Sequence, residues 1–330
     1  LTSENVRLKF PLGLVGLTVS ASVRTTDGST VSDVLAISSL DNPADLPSIE
    51  ELKKKVKDFA DNLMELKETP MIEEYYTGPV LFEEGAASRL FTDNLLSPGR
   101  LLALRTMAPA RGMLDEQLGR RIIDSRLTVK NYTTLAEYNG TPLFGRYEID
   151  GDGVVPAAEL TLVENGVFKR MLNGRVPTLK APESTGSARF MISPDNPMAI
   201  VSPGTIHVQA SKGVGPEKLK KALLKAAKEA DLEYAYIVRR IGGEASAVYK
   251  VNVKDGKEIR VRVNNLSAPE LTKLMDLKGI SSDERVMNYF PNGVPASLIY
   301  PSAIIVGDVE INRTTPKIEE EPVLKHPLQR

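Results

Sequence analysis

The stretch YTGPVLFEEGAASRLFTDNL, Tyr76 to Leu95, decides how the chain is read. Its centre, EEGAAS, is either the opening turn of an ordinary helix or a metal site that has lost its ligands. Two acids, Glu83 and Glu84, suit the first reading, because the positive end of a helix dipole favours negative charge. A carboxylate does bind zinc or magnesium. Neighbours on a helix, however, point about 100° apart, and the hydroxyl of Ser88 is a poor ligand.

Outward from this stretch, strand signals outnumber helix signals. In LVGLTVSASVRTTDGSTVSDV the residues Val15, Leu17, Val19, Ala21 and Val23 alternate, and Asp27-Gly28 supplies a turn, which predicts a hairpin with one wet face. ELTLVENGVFKRML turns at Asn165-Gly166. YKVNVKDGKEIRVRV places Val251, Val253, Ile259, Val261 and Val263 around Asp255-Gly256. Three such signals predict antiparallel sheet. They follow no fixed period, so a solenoid or propeller is not indicated.

Helices punctuate the strands. Ser48 and Glu51 stand in capping-box spacing ahead of a stripe formed by Leu52, Val56, Phe59, Leu63 and Leu66. GPEKLKKALLKAAKEA starts with Pro216 and turns Leu219, Leu223, Ala226, Ala227 and Ala230 inward, leaving five lysines on a solvated face. A third helix is expected at SAPELTKLMDL, where Ser267 and Glu270 have the same capping spacing. Ser193 to Gly204 reads as a linker, and the proline-bearing tail reads as an extended segment.

Composition narrows the chemistry. A chain of 330 residues with 42% apolar content is long enough for a sizeable core, and 42 basic against 43 acidic residues give no broad electrostatic reason for a nucleic-acid or membrane partner. No run approaches the roughly 18 apolar residues of a spanning helix, so a soluble chain is expected. The sequence begins at Leu1, which leaves its compartment open between cytoplasmic and exported.

There is no cysteine, which excludes disulfides, thiolate nucleophiles and Cys-ligated metals. Of the two histidines, His207 and His326, the first sits in an alternating run and reads as a strand residue; no G-x-S-x-G turn partners it. KGVGPEK lacks the third glycine and the Lys-Ser/Thr of a phosphate loop. Glu148, Asp150, Asp152, Gly153 and Glu159 have the spacing of an EF-hand calcium loop, but strand-like sequence flanks them, which predicts a β-turn instead.

The blocks YTGPVLFEEGAASRLFTDNLLS, LGRRIIDSRLTVKNY, GRYEIDGDGVVPAAELTLVENGVFKRML, ESTGSARF and YPSAIIVGDVEI, in that order, resemble the C-terminal part of the TldD/PmbA proteins, a peptidase family also called modulator of DNA gyrase. The resemblance covers residues 70–315; residues 1–70 fit connecting strands and a helix, and 316–330 form the tail. It implies an α+β fold with antiparallel β-sheets and several packed helices in intertwined halves. It also implies that the family's N-terminal α/β portion is missing from this chain.

Active relatives carry zinc through an H-E-x-x-x-H motif and a C-terminal cysteine. On this chain the two histidine positions fall on Glu83 and Ser88, the general base falls on Glu84, and the cysteine has no counterpart. Zinc hydrolysis needs three protein ligands and an open water position. Only Glu84 matches, so no cofactor is expected. The resemblance therefore implies the metal-free PmbA/TldE type, a partner subunit in a homo- or heterodimer that accommodates a peptide. Two alternatives are a peptidase acting through another constellation, such as Glu83, Glu84 and His207, and a binding or scaffold protein without proteolysis.

Overall fold

All three predicted hairpins form, because each turn dipeptide supplies the positive φ that reverses a strand. Gly28 has φ 85°, Gly256 has φ 71°, and Asn165 and Gly166 are both left-handed at 47° and 78°. The structure is a computed structural model that describes residues 13–40, 42–104, 114–178, 180–191, 198–243, 245–263 and 266–312. The expected tail 316–330, His326 and part of the expected linker lie outside the described residues.

The chain opens with β1 (Leu14–Arg24) and β2 (Thr30–Leu40), paired antiparallel along their full length, followed by α1 (Ile49–Glu68). Next come β3 (Tyr76–Glu83), α2 (Glu84–Leu95), β4 (Leu127–Tyr132), β5 (Glu137–Tyr138), β6 (Thr141–Pro142), β7 (Glu159–Glu164) and β8 (Val167–Phe168). The middle holds β9 (Ala188–Phe190), β10 (Ala199–Val201), β11 (Thr205–Ala210), α3 (Pro216–Glu229), β12 (Tyr234–Arg240), β13 (Ala247–Asn252) and β14 (Glu258–Val261). The last strands are β15 (Leu277–Ile280), β16 (Glu284–Tyr289), β17 (Ala296–Pro301) and β18 (Ala303–Ile311).

Two six-stranded sheets organise these elements. One has the order β16-β17-β11-β4-β7-β8 and the other β14-β13-β12-β3-β18-β15. Pairing is antiparallel except for β11 with β17 and β3 with β12. Each sheet draws strands from both ends of the chain, and the backbone crosses from one to the other at Ser302, between β17 and β18. This is the α+β, intertwined arrangement that the motif order implies.

The main core lies between the sheets and α2. Val80 and Phe82 of β3, Leu90 and Phe91 of α2, Val129 of β4 and Leu298 of β17 share one cluster. Because successive strand residues face opposite ways, Leu81, Ile237 and Ile305 point to the other side, where Leu219, Leu223 and Ala227 of α3 cover them. Ala226 and Ala230, expected inward, stay at least partly exposed, since the buried stripe of α3 is narrow. A third cluster packs Phe59, Leu63 and Leu66 of α1 on Val31 of β2. The predicted capping box is present: Ser48 Oγ accepts from the Glu51 amide, and the Glu51 carboxylate accepts from the Ser48 amide.

Two acids, one part-buried and one buried, tie distant segments together. Asp27, in the first hairpin turn, pairs with Arg262, whose Nε also donates to Thr69 O at 2.9 Å. Asp124, ahead of β4, accepts from the Arg126 amide at 2.9 Å, Arg126 Nε at 2.8 Å, Arg126 Nη2 at 2.7 Å and the Leu277 amide at 3.0 Å. Burial works against its charge, yet these donors hold its carboxyl at about 2.

Two expectations are corrected. Residues 271–275 form a single 3-10 turn with Glu270 at its cap and no capping box; Leu274 alone is buried there, and the chain must enter β15 at Leu277. Within the expected linker, residues 199–201 form β10, which pairs with β9 and leads into β11. No helix among the described residues is long and apolar enough to cross a membrane.

Candidate functional site

The junction of β3 and α2 brings together the residues singled out in EEGAAS. Glu83 ends β3 opposite Ala303 of β18 and occupies the cap position of α2, with extended φ −119° and ψ 163°. Its carboxylate makes no capping bond. It accepts instead from Arg239 Nε at 3.1 Å. Arg239 Nη2 reaches Glu258 Oε2 at 2.8 Å, and Lys220 Nζ reaches Glu258 Oε1 at 2.5 Å. The guanidinium lies 4.3 Å above the Tyr249 ring. Burial disfavours the charges of Arg239 and Glu258, but the hydrogen bonds between them raise the first pKa and lower the second.

Glu84 takes the conformation that the sequence does not announce. Its φ is 51°, the left-handed region that non-glycine residues avoid, and its amide donates to Ser302 O at 3.0 Å. The strand must turn at once into a helix, and one residue absorbs the reversal. Its carboxylate is half exposed and lies 3.7 Å from Arg285 Nη2. Ser88, one turn on, is buried and donates to Gly85 O at 2.8 Å. Glu83, Glu84, Asp283, Glu284, Arg285 and Ser302 line a cavity of 230 Å³ at this junction.

These residues do not fit zinc. The Glu83 carboxylate is committed to Arg239, the Ser88 hydroxyl is turned onto its own helix, and a hydroxyl is a weak donor for that ion. Among the described residues no group of three His, Cys, Asp or Glu side chains is placed to hold a metal. The site offers something else: Glu84 presents acceptor oxygens to a cavity, beside a guanidinium, where a peptide N–H or ammonium group can be met.

His207 does not line this cavity itself, but it is hydrogen-bonded to Glu284, which does. On β11 it pairs in register with Ile299, and Val286 pairs with the same residue, so these side chains share the sheet face that looks away from the main core. Arg285, the contact of Glu84, pairs with Tyr300 and faces the other side. From that face His207 Nε2 meets Glu284 Oε1 at 2.9 Å, at the edge of the cavity, while Tyr138 Oη donates to the second oxygen. Burial opposes ionisation of Glu284, but these two hydrogen bonds hold it below the usual carboxylate range. The result is a structural tie between β11, β16 and the β5–β6 turn.

The EF-hand spacing also resolves into structure. Asp150 is fully buried and accepts from the amides of Asp152 at 3.0 Å, Val154 at 2.8 Å and Ala188 at 3.1 Å, while Gly153 takes φ 81°. Glu159 pairs with Lys130 at 2.6 Å. The predicted turn is what forms. Sequence reasoning missed Arg239, Glu258 and Arg285, which come from strands more than 150 residues away from Glu83; no local pattern marks them.

Residues 75–312 match the family described as PmbA/TldA metallopeptidase C-terminal domain. Among solved structures, TldE from Thermococcus kodakarensis is similar over 90% of this chain and 62% of its own, with a TM-score of 0.55 and 15% identity. A proposed modulator of a DNA gyrase from Thermotoga maritima is similar over the same shares, with a TM-score of 0.53 and 16% identity. Identities this low carry the fold alone. The chain spans 62% of the length of both. No curated protein matches the sequence. The family match covers well over half of the chain and takes in every strand of both six-stranded sheets, so this chain belongs to the PmbA/TldA metallopeptidase family.

Proposed function

We propose that the chain is a member of the family without metal-dependent activity of its own, which supports peptide proteolysis or processing as the partner subunit of a homo- or heterodimer. One observation carries this reading. Where the metal-binding relatives have two histidines, this chain has Glu83, neutralised by Arg239, and Ser88, bonded to its own helix. The retained Glu84 then lacks the metal-bound water that a general base would deprotonate. Sheet edges are the natural place for an extended peptide, because main-chain groups there are free to pair.

The test is metal analysis of the purified protein by plasma emission, with a peptidase assay run with and without added zinc and with and without a zinc-bearing relative. The expected result is no stoichiometric metal, no activity alone, and an effect on the relative's activity that Glu84→Gln leaves largely intact. Stoichiometric zinc, with activity abolished by Glu84→Gln, overturns the proposal.

A further inference from the structure

The far end of α2 opens on a second cavity, of 560 Å³, within the size range of small-ligand sites. It lies about 18 Å along the helix from the Glu84 junction, at about 1.5 Å per residue. Arg100, in the turn after α2, and Arg121, ahead of β4, both line it, and Glu270 stands on its rim. Ile122, Leu271 and Met275 give it apolar walls.

Among the described residues, most guanidiniums around this cavity's sheets are paired, whereas these two, like those of Arg120 and Arg170, are not. Arg126 is satisfied by Asp124, Arg239 by two glutamates, Arg240 by Asp33 and Arg262 by Asp27. Among the described residues the side chains of Arg100 and Arg121 make no hydrogen bond or ion pair, and Glu270 is not within ion-pair distance of either. Arg100 is half-buried and Arg121 exposed, and an anion in the cavity they line has both as partners within its wall. Guanidinium forks match a carboxylate or a phosphate, and the remaining wall decides between them.

Asn94 adds direction. It is buried on the cavity wall, and its Nδ2 donates to Leu90 O at 2.9 Å and to Pro269 O at 2.8 Å. Both amide hydrogens are thereby used, which leaves the acceptor oxygen for a ligand N–H. A carboxylate, a neighbouring N–H and an apolar side chain occur together in the last residue of a peptide. We propose that this cavity captures a peptide's C-terminal residue, with its carboxylate between Arg100 and Arg121, its amide on Asn94 and its apolar side chain against Ile122, Leu271 and Met275. The assignment does not rest on the subunit role above, since it concerns binding by the isolated chain.

Fluorescence anisotropy with an N-terminally labelled Ala-Ala-Ala-Leu peptide tests it. The free-acid peptide is expected to bind at least about tenfold more tightly than its C-terminal amide, the scale of a lost charge-assisted hydrogen bond. The double substitution Arg100→Gln, Arg121→Gln is expected to bring the acid down to the amide's affinity without changing thermal stability, because neither side chain holds a partner. Equal binding of acid and amide, no binding of either, or displacement of the peptide by equimolar inorganic phosphate overturns the proposal.

Discussion

Asp124→Asn probes the clamp that joins β4 to β15. In the fold, burial disfavours the Asp124 charge but four donated hydrogen bonds from Arg126 and the Leu277 amide overcome it, taking the carboxyl from 3.8 to about 2. A separation of about 1.8 pH units at 1.36 kcal/mol each gives roughly 2 kcal/mol of stability at neutral pH. The folded value is the lower one. The contribution is therefore fully present above the unfolded value and is lost as pH falls through about 4 towards 2; by pH 3 the same relation leaves about 1 kcal/mol. Asparagine is close in shape but cannot carry the charge, and its amide hydrogens oppose the Arg126 donors. Urea unfolding followed by circular dichroism should put Asp124→Asn about 2 kcal/mol below the parent at pH 7, with the gap narrowing at pH 3. A gap near zero at pH 7, or one that stays constant between the two pH values, refutes the clamp as described.

Two further substitutions address the site and its support. Glu84→Gly removes a left-handed non-glycine residue, a strain of about 1–2 kcal/mol, against a glycine entropy cost of about 0.5–1 kcal/mol. Urea midpoints should be unchanged or raised; a loss above about 1 kcal/mol would mean that Glu84 is held by favourable contacts instead of being forced into place. Phe82→Ala empties a fully buried position between β3 and α2. It should cost about 3–5 kcal/mol in the same assay, and a cost under 1 kcal/mol would contradict the placement of the core.

What could be read from the sequence was whatever is local. Asp27-Gly28, Asn165-Gly166 and Asp255-Gly256 encode their turns in two residues, Ser48 and Glu51 encode a cap in four, and the Phe59, Leu63 and Leu66 stripe encodes a packing face. The ordered blocks carried the family and the start of α2. The rest depends on residues that meet only in the folded chain. Glu83 gives no sign that Arg239 will neutralise it, and nothing near Glu84 predicts a positive φ, because the geometry is imposed by Ser302 across the sheet. His207 was legible as a strand residue, but its tie to Glu284 and Tyr138 was not. The helix expected at residues 267–277 shrank to one turn because capping spacing alone does not sustain a helix that has a single buried side chain.

The position of β3 sets the timetable of folding. It is the first strand of its sheet to leave the ribosome, yet its partners are β12 and β18, and the longer pairing is with β18, at the far end of the described chain. Roughly 220 residues separate β3 from β18, which at about 5–20 residues per second is a delay of some 10–45 s. Until β18 arrives one edge of an apolar strand stays open even after β12 has paired with the other, which leaves the nascent chain exposed to aggregation. A chain cut before Ala303 would leave β3 with one open edge and α2 without part of its floor, whatever the integrity of the Glu84 junction itself.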